Sequence, residues 1–335
     1  MAGYLIRRLF LAIPILIGIS LIVFLMLHTA GGDPAEIKLG MHGDPEKIAQ
    51  LRHEMGLDRP LAVQYLDFAG HALIGNFGRS NRSGVLVADE VFSRFPATIE
   101  LAMAAMMIGT AIGLIAGTIA GIKRNSWFDY SSTFTALIGI SIPTFWLGLI
   151  LIIVFSVWLG WLPISGRVDP RLGADPSAPF LVMRSLFSGN WPVFEDSAKH
   201  LLLPALTLAG WPAAIIARMT RSALIETMTQ DYIRTARAKG AQEQTVVLGH
   251  AYRNAMIPVM TVVGLELGGL LGGAVVTEWV FAWPGIGKLT VDSIAARDYQ
   301  VVQGVVLLLG AVFILINLAV DLLYAMIDPR IRYRS

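Results

Sequence analysis

From Tyr130 to Gly166 the chain carries no charged residue, and a second uncharged run extends from Leu9 to Gly32. About 20 apolar residues are enough to cross the hydrocarbon layer of a membrane. Backbone immersed there has to satisfy its own hydrogen bonds, which for a single segment leaves a helix. Several such runs therefore predict an all-α polytopic membrane protein and rule out a soluble enzyme built on one large core. Composition agrees, with 55% hydrophobic and 15% charged residues over 335 positions, against about 25% charged for a soluble domain. The absence of cysteine excludes disulfides, thiol catalysis and cysteine-ligated metal.

Six spans are expected, at about Leu9–Leu27, Thr98–Gly121, Thr135–Leu159, Leu201–Ala217, Met256–Val276 and Val301–Tyr324. Arg7 and Arg8 before the first run resemble the start of a signal peptide. That run is longer than the usual h-region of about 7–15 residues, and His28-Thr29-Ala30 is a poor cleavage site, so it reads as a retained span. Pro143 is expected to kink the third span, with Trp158 and Trp161 at the interface. Glu100 is expected near the outer end of the second span, where it stays hydrated. The chain divides into 1–30 (N-terminus and first span), 31–95 (a cap region) and 96–335 (the membrane core). Within the cap, two amphipathic stretches, Pro45–Met55 and Leu61–Leu73, precede a turn-rich run at 75–84.

Charge sets the orientation. The short segments on one side hold Arg7, Arg8, Lys123, Arg124, Arg218, Arg221, Arg234, Arg237, Lys239, Arg253, Arg330, Arg332 and Arg334. Basic residues concentrate in short cytoplasmic segments, so both termini and the loop at 218–256 are expected in the cytoplasm.

That loop is more elaborate than a connector needs to be. Thr229 is a candidate N-cap, with Asp231 in the first turn and Arg237 and Lys239 in the last, a charge order that suits the helix dipole. Tyr232, Ile233 and Ala236 share a face, and Gly240 supplies a left-handed stop. A second short helix is expected at about Gln242–Asn254, with Val247, Ala251 and Tyr252 near one side. Helices this short are marginal alone, which leaves two readings: an element resting on the membrane surface, or a docking element for a soluble partner. On the docking reading the contact face is Tyr232, Ile233, Ala236 and Gly240.

The sequence holds no phosphate-cradling P-loop, no metalloprotease or serine-hydrolase motif and no histidine cluster, so catalysis is not indicated. Two acids fall in or near spans, Glu266 and Asp321. An ionisable residue at membrane depth is expensive and marks function by default. Glu266 adjoins LELGGLLGG at 265–273, where small residues admit close helix packing. It either serves a transport pathway or hydrogen-bonds a neighbouring helix, and Asp321, near the interface, leans to the second role. Trp279, Phe281 and Trp283 beside Pro284-Gly285 read as an aromatic belt at the membrane surface.

Further stretches are RRL at 7–9, GGDP at 31–34, MGLDRPLAVQYLDF at 55–68, GNFGRS at 75–80, RMTRSALIE at 218–226, DYIRTARAKGA at 231–241, HAYRNAMIPV at 250–259, VTEWVFAWPGIGKL at 276–289 and RDYQVVQG at 297–304. Through these, over almost its whole length, the chain resembles the B-type permease subunits of ABC importers for dipeptides, oligopeptides and nickel, with SGRV at 165–168 and RTARAKG at 234–240 pointing to the dipeptide group. The resemblance implies the type I permease fold, half of a translocation pathway shared with a homologous C-type permease, two ATPase subunits that bind ATP and Mg, and an extracytoplasmic binding protein. It implies no nucleic-acid partner and no cofactor in this chain. It implies alternating access, driven by rigid-body motion of the spans. It also implies that the loop seats in the ATPase through an E-A-A, three residues, Gly motif, with Asp231, Tyr232, Ile233, Ala236, Gly240, His250, Asn254 and Pro258 as the coupling residues. Register from Gly240 puts Thr235 and Ala236 at the alanine pair and Arg234 at the acid, so the glutamate is missing. A self-contained ion-coupled transporter using Glu266 and Asp321 is the alternative; it predicts an inverted internal repeat, and none is visible.

Overall fold

A computed structural model describes residues 2–29, 35–36, 44–54 and 56–327. Among them every regular element is a helix, apart from an isolated bridge between Arg79 and Leu86. Helix α1 is Ala2–Thr29, α2 Pro45–Glu54, α3 Leu61–Leu73, α4 Val87–Ile122, α5 Trp127–Ser141 and α6 Thr144–Leu151. Helix α6 widens into a π-helix at Ile152–Trp158, and α7 is Leu181–Phe187, α8 Trp191–Met228 and α9 Asp231–Ala238. A second π-helix, Thr245–Ala251, leads into α10, Tyr252–Gly273; α11 is Val275–Val280, α12 Ile286–Ala295 and α13 Tyr299–Ile327.

The core is a close pairing of α4 with α8. Gly109, Gly113, Gly117 and Gly121 repeat every four residues on α4 and meet, in order, Ala209, Ala213, Ala217 and Leu224 of α8. A Cβ on Gly113 would lie 2.8 Å from the Ala213 carbonyl oxygen and 2.8 Å from the Ile216 side chain. Such a ridge lets backbones approach where lipid offers no hydrophobic drive for helix association. Because the contacts advance together along both helices, α4 and α8 run parallel. The chain between them therefore has to return to its starting side, so α5 and α6 together make one passage. They meet at an angle of 105°, too sharp for the kinked span expected at Pro143. Pro143 instead ends one helix and starts another: it blocks the helical state of the residue before it and has no N–H to give, and Ile142 is extended.

Four described helices, at Val87–Ile122, Trp191–Met228, Thr245–Gly272 and Tyr299–Ile316, are long and apolar enough to cross a membrane, five if the bent pair counts as one. A shorter apolar stretch occupies Ile13–Met26 of α1. The described residues thus give an all-α polytopic membrane protein, without establishing the count of six. The helices also outrun the expected spans: α4 starts at Val87 and α8 covers Trp191–Met228. Helix α1 packs along α13 and meets α3 through Phe24, whose ring lies 5.5 Å from that of Tyr65 and 6.0 Å from that of Phe68.

Candidate functional site

At the end where α4 and α8 terminate, the basic groups gather. Arg221 of α8 grips both carboxylate oxygens of buried Asp129 through Nε and Nη2, the second bond at 2.8 Å. This fixes the start of α5 beneath α8. Just beyond, Thr229 is the C-cap of α8 and not the N-cap of the next helix; Gln230 precedes α9 without a side-chain cap. Asp231 stands in the first turn of α9 and Arg237 in the last. Gly240 has φ +80°, the left-handed stop the sequence requires. The second short helix is absent as a separate element, because the segment from Thr245 runs on into α10.

What ties α9 to the body is one side chain. Ile233, expected on the contact face, is 0% exposed and sits in the main core with Val246, Ala251 and Leu224. It anchors the helix and faces no partner. Around it the links are thin. Asn254 Nδ2 donates to Tyr232 Oη at 2.8 Å, Arg237 Nη2 to Glu243 at 2.6 Å, and Ala236 packs on the core edge. Asp231, Tyr232, Arg234 and Gly240 are exposed, as are His250, Asn254 and Pro258, which follow one another at four-residue steps. A Cβ on Gly240 would meet nothing within 4 Å. The result is a polar helix, plugged in by one apolar residue, with an open face and an open turn.

The opposite end is built differently. Glu100, expected to stay hydrated, is buried and accepts from Arg167 Nη2 at 2.6 Å and from the Val182 N–H at 2.8 Å. Arg167 donates further to the carbonyls of Pro176 and Ala178, and its guanidinium lies 5.4 Å from the ring of Trp283. The aromatic turn is only partly the expected belt. Phe281 and Trp283 are 1% and 0% exposed, and Trp279 alone faces outward. Trp283 Nε1 donates to the Ala97 carbonyl. Buried Glu278 accepts from Thr98 Oγ1 at 2.6 Å and from the N–H groups of Gly287 and Lys288 at 2.7 and 3.1 Å. It thereby caps the N-terminus of α12. Burial pushes its carboxyl up to about 7, against the donors that favour the charged form. Gly285 is required here, since a Cβ would land on that carboxylate.

In α10, Glu266 is half-buried and has no hydrogen bond or ion pair among the described residues. Of the small residues around it, Gly268 packs on Phe313 and Ile316 of α13, whereas Gly269 and Gly272 have nothing within 4 Å of a Cβ. Asp321 lies on α13, but its side chain is outside the described residues. The described residues hold no cluster of His, Cys, Asp or Glu arranged for a metal ion. Sequence reasoning missed the Glu100–Arg167 and Asp129–Arg221 pairs, which nothing local signals. It also missed the glycine ridge of α4, which the four-residue spacing does signal.

A core of helices long and apolar enough to cross a membrane, with a polar segment at its basic end, defines an integral membrane protein. Comparison fixes the family. Residues 109–333 match the model of the binding-protein-dependent transport system inner membrane component, and residues 1–102 match the N-terminal model of the same systems. The chain belongs to this family of multi-pass inner-membrane permeases. It is 48% identical over 335 residues to the di/tripeptide transport system permease protein DppB of Pseudomonas aeruginosa (strain UCBPP-PA14), covering the whole of both chains. It is 45% identical over 339 residues to the dipeptide permease DppB of Escherichia coli (strain K12), again over the full length of both. The glutathione transport system permease protein GsiC of the same strain is also 45% identical, over 334 residues and both full lengths. Among solved structures, the inward-facing MetNI methionine ABC transporter shares the fold, with a TM-score of 0.53 at 20% identity over 69% of this chain and 93% of that one.

Proposed function

We propose that this chain is one of two unlike permease subunits in an ATP-driven importer of dipeptides and short oligopeptides. Full-length identity of 48% and 45% to permeases named for di/tripeptides and dipeptides carries the substrate class. On this reading the chain crosses the membrane six times, with both termini and the 229–258 segment in the cytoplasm, as the positive-inside rule asks. The chain itself hydrolyses nothing; ATP and Mg bind two partner ATPases, and a homologous C-type permease supplies the other half of the pathway. An extracytoplasmic binding protein delivers substrate to the end that carries Glu278 and Arg167.

Helix α9 is the coupling element. Its exposed side (Asp231, Tyr232, Arg234 and Thr235) and the open turn at Gly240 meet the ATPase, and Ile233 transmits the push into the core. His250 of the π-helix carries it on to Asn254 and Pro258 of α10. The acid of the family motif is absent from its register position, where Arg234 stands, and Asp231 lies 3.5 Å from Arg234 one turn away. Co-expression with the candidate partners tests the reading: a stable complex of two permeases and two ATPases that accumulates dialanine in proteoliposomes only with ATP and loaded binding protein. Accumulation by this chain alone along an ion gradient contradicts it.

A further inference from the structure

Two buried acids at the Glu278 end are engaged at both oxygens, Glu100 by Arg167 and the Val182 N–H, Glu278 by three donors. Glu266 differs from both. It sits midway along the expected span Met256–Val276, is only half-buried, and has no hydrogen-bond or ion-pair partner among the described residues. It borders a face of α10 that this chain leaves open, marked by Leu265, which is 51% exposed, and by the exposed Gly269 and Gly272. Lipid is a poor occupant for a face that presents a carboxylate at mid-membrane. Water and a polar ligand are good ones.

The ligand chemistry follows from the transport reading above, on which this inference rests. Short peptides differ in every side chain but share a protonated amino terminus. A pathway that accepts many of them has to hold the constant groups, and a carboxylate answers an ammonium with a charge-assisted hydrogen bond. Beside Glu266, the open space at Gly269 and Gly272 leaves room for a peptide backbone against α10. We propose that Glu266 stands in the wall of the translocation pathway and pairs with the protonated amino terminus of the passing peptide.

The test uses the whole importer in proteoliposomes, with dialanine as the probe. Glu266→Gln is expected to lower ATP-dependent uptake at sub-saturating dialanine about tenfold, the worth of one hydrogen bond to a charged group. ATPase stimulation by loaded binding protein stays near the wild-type level, and Glu266→Asp restores most of the uptake. The chain contains no cysteine, so Glu266→Cys reports water access directly. A quaternary-ammonium thiol reagent is expected to modify it in the nucleotide-free complex, read on this chain's band, and saturating dialanine is expected to slow the reaction. Ile22→Cys, within the apolar stretch of α1, serves as the membrane-embedded control and stays unmodified. Normal uptake by the Gln variant, or an unreactive Glu266→Cys variant, overturns the proposal and leaves the importer reading standing. A wild-type complex that accumulates no dialanine removes the importer reading itself.

Discussion

The two ends of this bundle solve opposite problems. At one, Glu278, Thr98, Arg167, Glu100 and Trp283 join α4, α11, α12 and the 160–180 loop into a dry knot in which both buried acids are engaged. At the other, α9 depends on buried Ile233 and a few exposed polar links. The first end holds its own shape. The second is a plug with a bare outer face, suited to being held and pushed by something else. On the proposed importer reading, a transport cycle of rigid bodies would take its force where the chain is incomplete, and the knot would keep the far ends of the helices moving as one.

The comparison breaks most readily at the knot. Arg167→Met leaves Glu100 buried and unpaired, and is expected to cost about 3–5 kcal/mol, seen as a large drop in the unfolding midpoint of the detergent-purified protein. Adding Glu100→Gln should return much of the loss, because the isolated charge is then gone. If the single variant is as stable as wild type, the knot is not structural. At the other end, Ile233→Ala removes a fully buried side chain and is expected to cost about 2–4 kcal/mol locally. Since few other contacts hold α9, limited proteolysis should then cut near Gly240 while the core stays intact; simultaneous loss of the core contradicts the plug picture.

A smaller effect follows from Glu278. Its carboxyl titrates near 7 in the fold against an ordinary value of 4.5. A raised folded pKa means that the protonated form is favoured by folding. The contribution is full below about 4.5 and is lost as pH rises through about 7. The melting temperature should therefore fall with pH across that window, and Glu278→Gln should flatten the slope there. Smallest of all, Tyr232→Phe removes the exposed bond to Asn254 and should change stability by under about 1 kcal/mol. A loss of ATPase association in that variant would then be assigned to the partner surface.

Much of this was readable from the sequence wherever local chemistry decides. Pro60 and the glycines at 56 and 75 bracket α2 and α3, whose bounds fall at or within a residue of those expected. Gly240 announced its left-handed turn. The lengths of α4 and α8 were not readable, because hydropathy marks where a helix meets lipid and not where it ends. Pro143 signalled a break but not a 105° one, since the angle is set by how α5 and α6 pack on α8. Glu100 and Arg167 stand 67 positions apart, so their pairing is a property of the fold alone. Ile233 was assigned to the contact face of α9 for a related reason: three apolar residues on one side predict a buried stripe as readily as a docking one, and Ile233 went inward while Tyr232 and Gly240 stayed exposed.

The central claim is that the open end couples to an ATPase. Gly240→Glu tests it most directly, because the turn has φ +80° and a Cβ there meets nothing in this chain. Within the chain the substitution costs only the left-handed conformation, about 1–2 kcal/mol, so insertion and folding should persist. Pull-down of the ATPase subunits by the affinity-tagged variant, quantified against wild type, should fall at least tenfold. Undiminished capture with normal ATP-driven uptake would contradict the account.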